Sequence, residues 1–349
     1  MTASEAALRE AVRAAGGSVS CEEWMRWALY DPAHGYYARR VRTVGREGDF
    51  STAATLGPAL AAAVAGWAAR HRERGAWHFV ELGGGSGDLA AGVLARLGWW
   101  ARRGLRYHVV EVSEGLRKAQ KTRLAAWGGR VCWHGTLAEA LAAAGGAALI
   151  FSNEFVDAFP CARWVYEGGG WRELRVAWPE GAAGLVEVVG EVVLETEQAA
   201  TATAAGSWRE GQRVEVFLSY RRWLQEQLAG WQHGQMLTID YGDGLPALYH
   251  RRPRGTLRAY CRQMRFEGAE VYARPGQQDL TADVNFTDLQ RWGGELGLTT
   301  GFYGTQAEFL HRWLPAGMRA DAAAMLDQDG AGGAFKVLEQ LPPATQMAA

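Results

Sequence analysis

The sequence predicts an α/β fold: a parallel sheet with helices on both faces, preceded by a helical N-terminal extension and interrupted by antiparallel strands. Three observations lead there. From residue 78 onward, short apolar runs alternate with helical patterns at the spacing of right-handed βαβ units. The first run ends in a glycine-rich turn within ELGGGSGDL, residues 81–89. Ahead of it, apolar residues recur every three to four positions, as helices require.

Taken in order, residues 4–15 and 21–30 put Leu8, Val12, Trp24, Trp27 and Ala28 on helical faces, and Pro32 and Gly35 break the pattern. The Ala-rich stretch 56–71 is helical, with Pro58 suited to a first turn. Strand HFVEL (78–82) follows, then a helix at 88–97, strand RYHVVEV (106–112), helix EGLRKAQKTRLAAW, strand RVCWH, a helix around 136–143 and strand AALIFSNEF. After residue 160 the rhythm becomes that of hairpins, RWVYEGGGWRELRVAW and LVEVVGEVVLE, with glycine turns. Residues 198–211 read as a flexible loop; helix FLSYRRWLQEQL and strand QMLTIDYG return to the sheet.

Composition narrows the function. Lys and Arg total 37 against 38 Asp and Glu, so no whole-molecule field draws in nucleic acid or an anionic membrane, and neither is an expected partner. The cysteines at 21, 132, 161 and 261 form no CxxC pair; they read as buried thiols of a reducing cytoplasm, and no metal site is indicated. No leader-like apolar segment or run of about 18 apolar residues occurs, so the expected location is cytoplasmic. Of the 16 tryptophans, Trp99, Trp100, Trp171 and Trp178 flank loops where they could line a cleft.

Glycines at the end of a first strand permit positive φ and remove the Cβ atoms that would collide with a ligand. A phosphate-cradling P-loop fails because no Lys follows Gly87. A dinucleotide fingerprint survives only as GxGxxA through Gly85, Gly87 and Ala90, leaving an NAD-dependent oxidoreductase as a reading. The third reading is the ExGxGxG turn of S-adenosylmethionine enzymes, here Glu81, Gly83, Gly85 and Gly87. Glu81 and Asp88 bracket the glycines with no Lys or Arg within seven residues on either side, which suits a sulfonium and repels a pyrophosphate. Glu111 ends the second strand, where a carboxylate can take both ribose hydroxyls. At the end of the fourth strand, Asn153, Glu154 and Asp157 crowd an amide and two carboxylates that could orient a cationic nucleophile or accept its proton.

At this point the chain resembles the MidA-like methyltransferases, a family whose mitochondrial members are protein arginine methyltransferases acting in complex I assembly. The resemblance rests on YDPAHGYY, GREGDFST, ELGGGSGDL, VVEVSEGLRKAQ, SNEFVDAFP, IDYG, GTLRAY, PGQQDLTADVNF, TQAEFL and GAFKVL, in that order along nearly the whole chain. It implies a Rossmann-like class I methyltransferase core with S-adenosyl-L-methionine as cofactor. It divides the chain into 1–75 (helical extension and cofactor lid), 76–165 with 212–345 (core and substrate-side additions) and 166–211 (inserted hairpin and loop). By the same likeness Gly48, Asp49 and Thr52 lie near the methionine end of the cofactor, Glu81 to Gly87 beneath it and Glu111 on the ribose. Asn153 and Glu154 face the methyl group.

The chain departs from the family pattern outside the cofactor motifs. Ala53, Ala54 and Thr55 replace an Ala-Pro-Glu string, Gln263 and Asp283 stand where His is usual, and Asn285 where Asp is usual. A guanidinium acceptor wants paired carboxylates; Glu154 and Asp157 could provide them, with Asp283 or Asp240 as a supplement. A small-molecule acceptor needs one base and aromatic walls, for which Trp164, Trp171, Tyr241 and Tyr260 are candidates. The expected function is a methyltransferase acting on a protein arginine, with an O- or N-methyltransferase of a small metabolite as the alternative. A non-catalytic cofactor-binding assembly factor stays open, as does a homodimer.

Overall fold

The computed structural model describes residues 3–39 and 58–343. Helix α1 (Ala3–Ala14) leads through the short strand β1 (Ser18–Ser20) into α2 (Cys21–Tyr30). Ser20 caps α2 by accepting the Glu23 N–H while Glu23 returns to the Ser20 N–H, so two otherwise unpaired helix donors are satisfied. After α3 (Tyr36–Arg39) the description resumes at α4 (Pro58–His71), with Pro58 as its first residue.

The core then runs β2 (Trp77–Leu82), α5 (Asp88–Arg96), α6 (Trp99–Arg103), β3 (Leu105–Val110), α7 (Glu114–Arg123), β4 (Val131–His134), α8 (Leu137–Ala143) and β5 (Leu149–Asn153). Next come β6 (Ala162–Glu167), β7 (Gly170–Ala177), β8 (Val186–Val192), α9 (Glu195–Ala199), β9 (Arg213–Val216), α10 (Leu218–Gln227) and β10 (Met236–Asp243). The chain continues through β11 (Arg258–Cys261), β12 (Met264–Glu267), β13 (Asp279–Thr281), β14 (Val284–Asn285), α11 (Phe286–Glu295), β15 (Thr299–Thr305), α12 (Gln306–Trp313) and β16 (Phe335–Leu341).

The main sheet has the strand order β15-β16-β10-β5-β2-β3-β4, with β14 paired to the end of β10. Strands β10, β5, β2, β3 and β4 are parallel, and β16 runs against both its neighbours. The order reverses between β2 and β5, and a crevice opens at the carboxyl ends of the strands on either side of such a reversal. The central strands β2, β5 and β10 are buried along most of their length, as coverage of both faces requires, whereas the edge strand β15 is polar and largely accessible. Close packing on one face depends on small residues: a Cβ at Gly92 of α5 would stand 2.7 Å from the Ala61 Cβ of α4.

A second, antiparallel sheet, β1-β7-β6-β9 with β8 on β7, spans 162–216 and recruits β1 from the N-terminal extension, so its strands reach outside 166–211. A third, β12-β11-β13, lies beside the crevice. Within 198–211, where a loose loop is expected, residues 200–204 are packed, while 205–207 and 209–211 are exposed. Asp288 accepts from Thr201 Oγ1 and from the Ala202 N–H, both at 2.6 Å, and Trp208 Nε1 donates to the Thr203 carbonyl at 2.7 Å. The thiols divide: Cys21 and Cys161 are buried, whereas Cys132 and Cys261 are half-buried.

Candidate active site

Two βα turns on β2 and β3 and the loop after β5 converge on one cavity of about 620 Å³, within the range of small-molecule sites. Its floor is the glycine turn. Gly83, Gly85 and Gly87 have φ of 64°, 50° and 85°, a region that costs side-chain-bearing residues energy. A Cβ on Gly83 would also stand 2.8 Å from the Phe155 ring. Glu81, ahead of the turn, is buried and accepts from the Tyr107 hydroxyl at 2.9 Å; burial pushes its pKa up to about 7.

Glu111 stands one residue past β3 and not within it. Its two oxygens accept from the Ser113 N–H (2.8 Å) and from Gln120 Nε2 (3.2 Å), and burial raises its pKa. Gln120 also donates to the Gly85 carbonyl at 2.9 Å and accepts from Trp133 Nε1. One amide thus ties the glycine turn to the acid, a link that a position inside a helix gives no reason to suspect. Asp88 pairs with Arg123 at 2.7 Å, so the turn has a cationic neighbour that its local sequence lacks.

At the end of β5, Asn153 Nδ2 donates to Glu154 Oε1 at 3.0 Å, and the buried Asn153 Oδ1 has no hydrogen-bond partner among the described residues. A buried acceptor left without a donor is costly, and a bound ligand is one way to supply it. Glu154 itself has φ of +50°, uncommon for a residue with a side chain and typical of strained positions at functional sites. Asp157 is buried, accepts from Thr281 Oγ1 at 2.8 Å, and is raised in pKa by that burial.

The remaining wall comes from distant segments. Tyr30 and Tyr37 reach in from the N-terminal extension; Tyr37 donates to Asp279 at 2.8 Å, and burial pushes Asp279 up to about 7. Phe155, Trp223, Tyr241 and Tyr260 supply aromatic surface, and Gln263 lines the rim from a two-residue turn in which it and Arg262 both have positive φ. The buried Arg258 lies over the rings of Tyr241 (5.5 Å) and Tyr260 (6.0 Å) and is ion-paired to Asp283. Among the described residues the lining carries six carboxylates, Glu81, Asp88, Glu111, Glu154, Asp157 and Asp279, against Arg258 as the one cation.

Several expected positions are not in this cavity. Asp240 does not line it: fully buried, it accepts the backbone N–H groups of Phe155, Val156 and Asp157 on one oxygen (3.2, 2.9 and 3.3 Å) and that of Tyr241 on the other (2.9 Å). Asp283 is held by Arg252 and Arg258 behind the cavity wall. Asn285 caps α11 and donates to Thr203 and Asp288. Trp164 and Trp171 are core residues of the inserted sheet, while Trp99 and Trp100 are exposed on α6. Gly48, Asp49, Thr52 and Thr55 lie outside the described residues. Conversely, Tyr30, Tyr37, Trp223, Arg258 and Asp279 were not singled out as lining residues. Trp223 lies in none of the motifs, whereas Tyr30 and Tyr37 are the ends of YDPAHGYY, and Arg258 and Asp279 lie inside GTLRAY and PGQQDLTADVNF.

This arrangement suits a nucleoside lying on bare backbone with a cationic tail. A family model described as S-adenosyl-L-methionine-dependent methyltransferase matches residues 59–303. The chain is 27% identical over 326 residues to the mitochondrial protein arginine methyltransferase NDUFAF7 of Danio rerio, covering 85% of this chain and 73% of that one. It is 29% identical over 301 residues to the Drosophila melanogaster homolog, covering 77% and 65%. A crystal structure from Burkholderia thailandensis with S-adenosyl-homocysteine bound superposes with a TM-score of 0.81 at 27% identity, over 97% of this chain and 92% of that one.

Proposed function

The chain belongs to the family of S-adenosyl-L-methionine-dependent methyltransferases, and on that premise we propose that it methylates a nitrogen of a protein arginine. Residues proposed to hold the cofactor are the Gly83–Gly87 turn beneath it, Glu111 at the ribose and Glu81 and Asn153 toward its charged end. When bound, the cofactor supplies a methyl group on a sulfonium.

The observation that carries the acceptor is the charge of the cavity, whose lining among the described residues has six carboxylates against one guanidinium that is itself paired. A guanidinium entering such a site gains charge-assisted hydrogen bonds, and two carboxylates can align its nitrogen and take the proton lost on methylation. Glu154 and Asp157 are assigned those roles: Glu154 orients, and Asp157, whose pKa burial has raised, receives the proton. Phe155, Tyr241 and Tyr260 offer flat faces on which a guanidinium can stack. The names of the curated relatives agree with this acceptor.

The test is to incubate the protein with methyl-labelled cofactor and cell extract, separate protein from small metabolites, and hydrolyse the protein fraction. Label in methylarginine is expected. Label confined to the metabolite fraction would replace the acceptor with a small molecule. No label in either fraction, with normal S-adenosylhomocysteine binding, would leave a non-catalytic assembly factor. Glu154→Gln should abolish labelling while leaving cofactor binding within about three-fold, since it keeps the shape and loses the charge.

No helix among the described residues is long and apolar enough to cross a membrane. The relatives' names place those proteins in mitochondria, so a cytoplasmic location for this chain is a proposal without support from them.

A further inference from the structure

Behind Tyr241, Arg258 and Tyr260, which line both, lies a second cavity of about 940 Å³, between the β11–β12 hairpin, the edge of the main sheet and the inserted sheet. Its lining carries eight basic residues and four carboxylates, the opposite balance from the first cavity. Each of those four carboxylates is already engaged: Glu187 by Arg163 and Arg213, Asp283 by Arg252 and Arg258, Glu267 by Arg265, and Asp243 by Lys336. Two arginines remain, Arg251 and Arg254, with no carboxylate partner among the described residues. Arg251 also holds φ of +58°, a strained conformation for a long side chain and one that tends to persist where function requires it.

The groove is built on rigid supports. Arg163 is buried, donates to Glu215 at 3.0 Å and to the Tyr272 hydroxyl at 2.9 Å, and also to the Arg254 carbonyl at 3.0 Å, so the loop bearing Arg251 and Arg254 is fixed to the inserted sheet. Glu215 in turn accepts the Thr256 N–H at 2.8 Å. Two exposed guanidinium groups on a loop whose backbone is anchored favour carboxylates, which they can take in bidentate pairs. The interspersed acids disfavour a uniform phosphate backbone, and the chain's net charge of −1 supplies no field to attract one.

From these observations we infer that this groove binds an acidic segment of the acceptor polypeptide flanking the residue presented to the first cavity, with Arg251 and Arg254 as the reading residues. The inference rests on the proposed protein acceptor. The two cavities then sort the acceptor by charge: the cationic side chain enters the carboxylate-lined site, and acidic neighbours enter the arginine-lined one. Such an arrangement selects an arginine within an acidic context and rejects arginine-rich tails, whose flanking cations the groove would repel.

The test is fluorescence anisotropy with three labelled short peptides, each with one central arginine flanked by glutamates, by serines or by lysines, in the presence of S-adenosylhomocysteine. The glutamate-flanked peptide should bind at least about ten-fold more tightly than the other two, an advantage that shrinks with added salt. Arg251→Glu with Arg254→Glu should remove that advantage with unchanged S-adenosylhomocysteine binding. The milder pair Arg251→Asn and Arg254→Ser, in which asparagine tolerates the positive φ, should reduce it in the same direction without threatening the fold. Equal binding of all three peptides by wild type, or an undiminished preference in both variants, would overturn the groove. So would tighter binding of a single-stranded oligonucleotide of equal charge. A fourth peptide with alanine for the central arginine separates the two proposals: retained groove binding with no methylarginine formed from the arginine peptide would sink the acceptor and leave the groove standing.

Discussion

Asp240→Asn tests how the site is held. The Asp240 carboxylate is the hub of the loop that carries Glu154 and Asp157, receiving three N–H groups of that loop on one oxygen and the Tyr241 N–H on the other. Burial, followed by the nearby Asp157 and Glu154, pushes its pKa well above the ordinary carboxylate range, and the N–H groups of Asp157 and Val156 oppose that rise. Asparagine preserves the volume but has one oxygen. If that oxygen faces the loop, the amide NH2 meets the Tyr241 N–H donor to donor; the reverse orientation confronts three donors. The favoured outcome leaves the Tyr241 N–H and the new amide NH2 facing each other without acceptors, and the lost backbone bond costs about 1–3 kcal/mol. For a chain of 349 residues that lowers the midpoint of thermal unfolding by roughly 1.5–4 °C.

The functional effect should exceed the thermal one, because a shift of about 1 Å in a positioned group can cost two orders of magnitude in rate. We expect kcat for methyl transfer to fall about 100-fold while S-adenosylhomocysteine affinity changes less than about three-fold, since the cofactor floor hangs on β2 and β3. Calorimetry for binding, scanning calorimetry for stability and labelled-methyl incorporation for rate supply the three readouts. An unchanged melting temperature with unchanged kcat would mean that Asp240 is protonated and already behaves as a neutral group, and the hub argument would be wrong.

Gly85→Val forces a β-branched residue to φ of +50° and puts methyl groups in the cavity, so S-adenosylhomocysteine binding should drop at least about 100-fold with the circular dichroism spectrum retained; undiminished affinity would show that the turn is not the cofactor floor. Glu81, pushed by burial up to about 7, is half protonated near neutrality, and a bound cation favours its charged form. Affinity for S-adenosylmethionine should therefore weaken by up to about ten-fold between pH 7.5 and 6, with proton release seen as a buffer-dependent binding enthalpy, and Glu81→Gln should flatten the profile. The sign for folding is opposite: a carboxyl raised in the folded state contributes stability present below its unfolded value of 4.5 and lost as pH rises through about 7. Asp283→Asn leaves the buried Arg258 without its counter-charge and should cost roughly 3 kcal/mol, read as a lower denaturant midpoint; a neutral effect would mean that water or Tyr260 already compensates that charge.

What the sequence made legible was local. The β2 turn, Glu81, Glu111 and the trio Asn153, Glu154 and Asp157 each sit where a strand runs into a loop, so period and turn chemistry suffice to put them at the ligand edge of the sheet. Asp240 looks the same on those terms, an acid near the end of a parallel strand, yet its job is different. Side chains alternate along a strand, and Tyr241 lines the cavity while Asp240 turns to the loop beneath it. The distinction depends on which neighbour has unpaired N–H groups to offer, and the bend at Glu154 that exposes them leaves no compositional trace.

Charge shows the same limit and why the conclusion survives it. The turn has no cation nearby in sequence, but Arg123 of α7 reaches Asp88, and Arg258, from beyond β10, enters the cavity wall. A preference for a cationic ligand therefore cannot rest on the absence of Lys and Arg around the glycines. It rests on the folded inventory among the described residues, in which Asp88 pairs with Arg123, Arg258 pairs with Asp283 outside the lining, and the lining also carries Glu81, Glu111, Glu154, Asp157 and Asp279. Burial raises the pKa of Glu81, Glu111, Asp157 and Asp279, and the opposing pull of Arg117 on Glu111 and of Arg258 on Asp157 and Asp279 does not cancel it, so a cationic ligand would favour their charged forms. A sulfonium with its ammonium tail, followed by a guanidinium, would bring that positive charge.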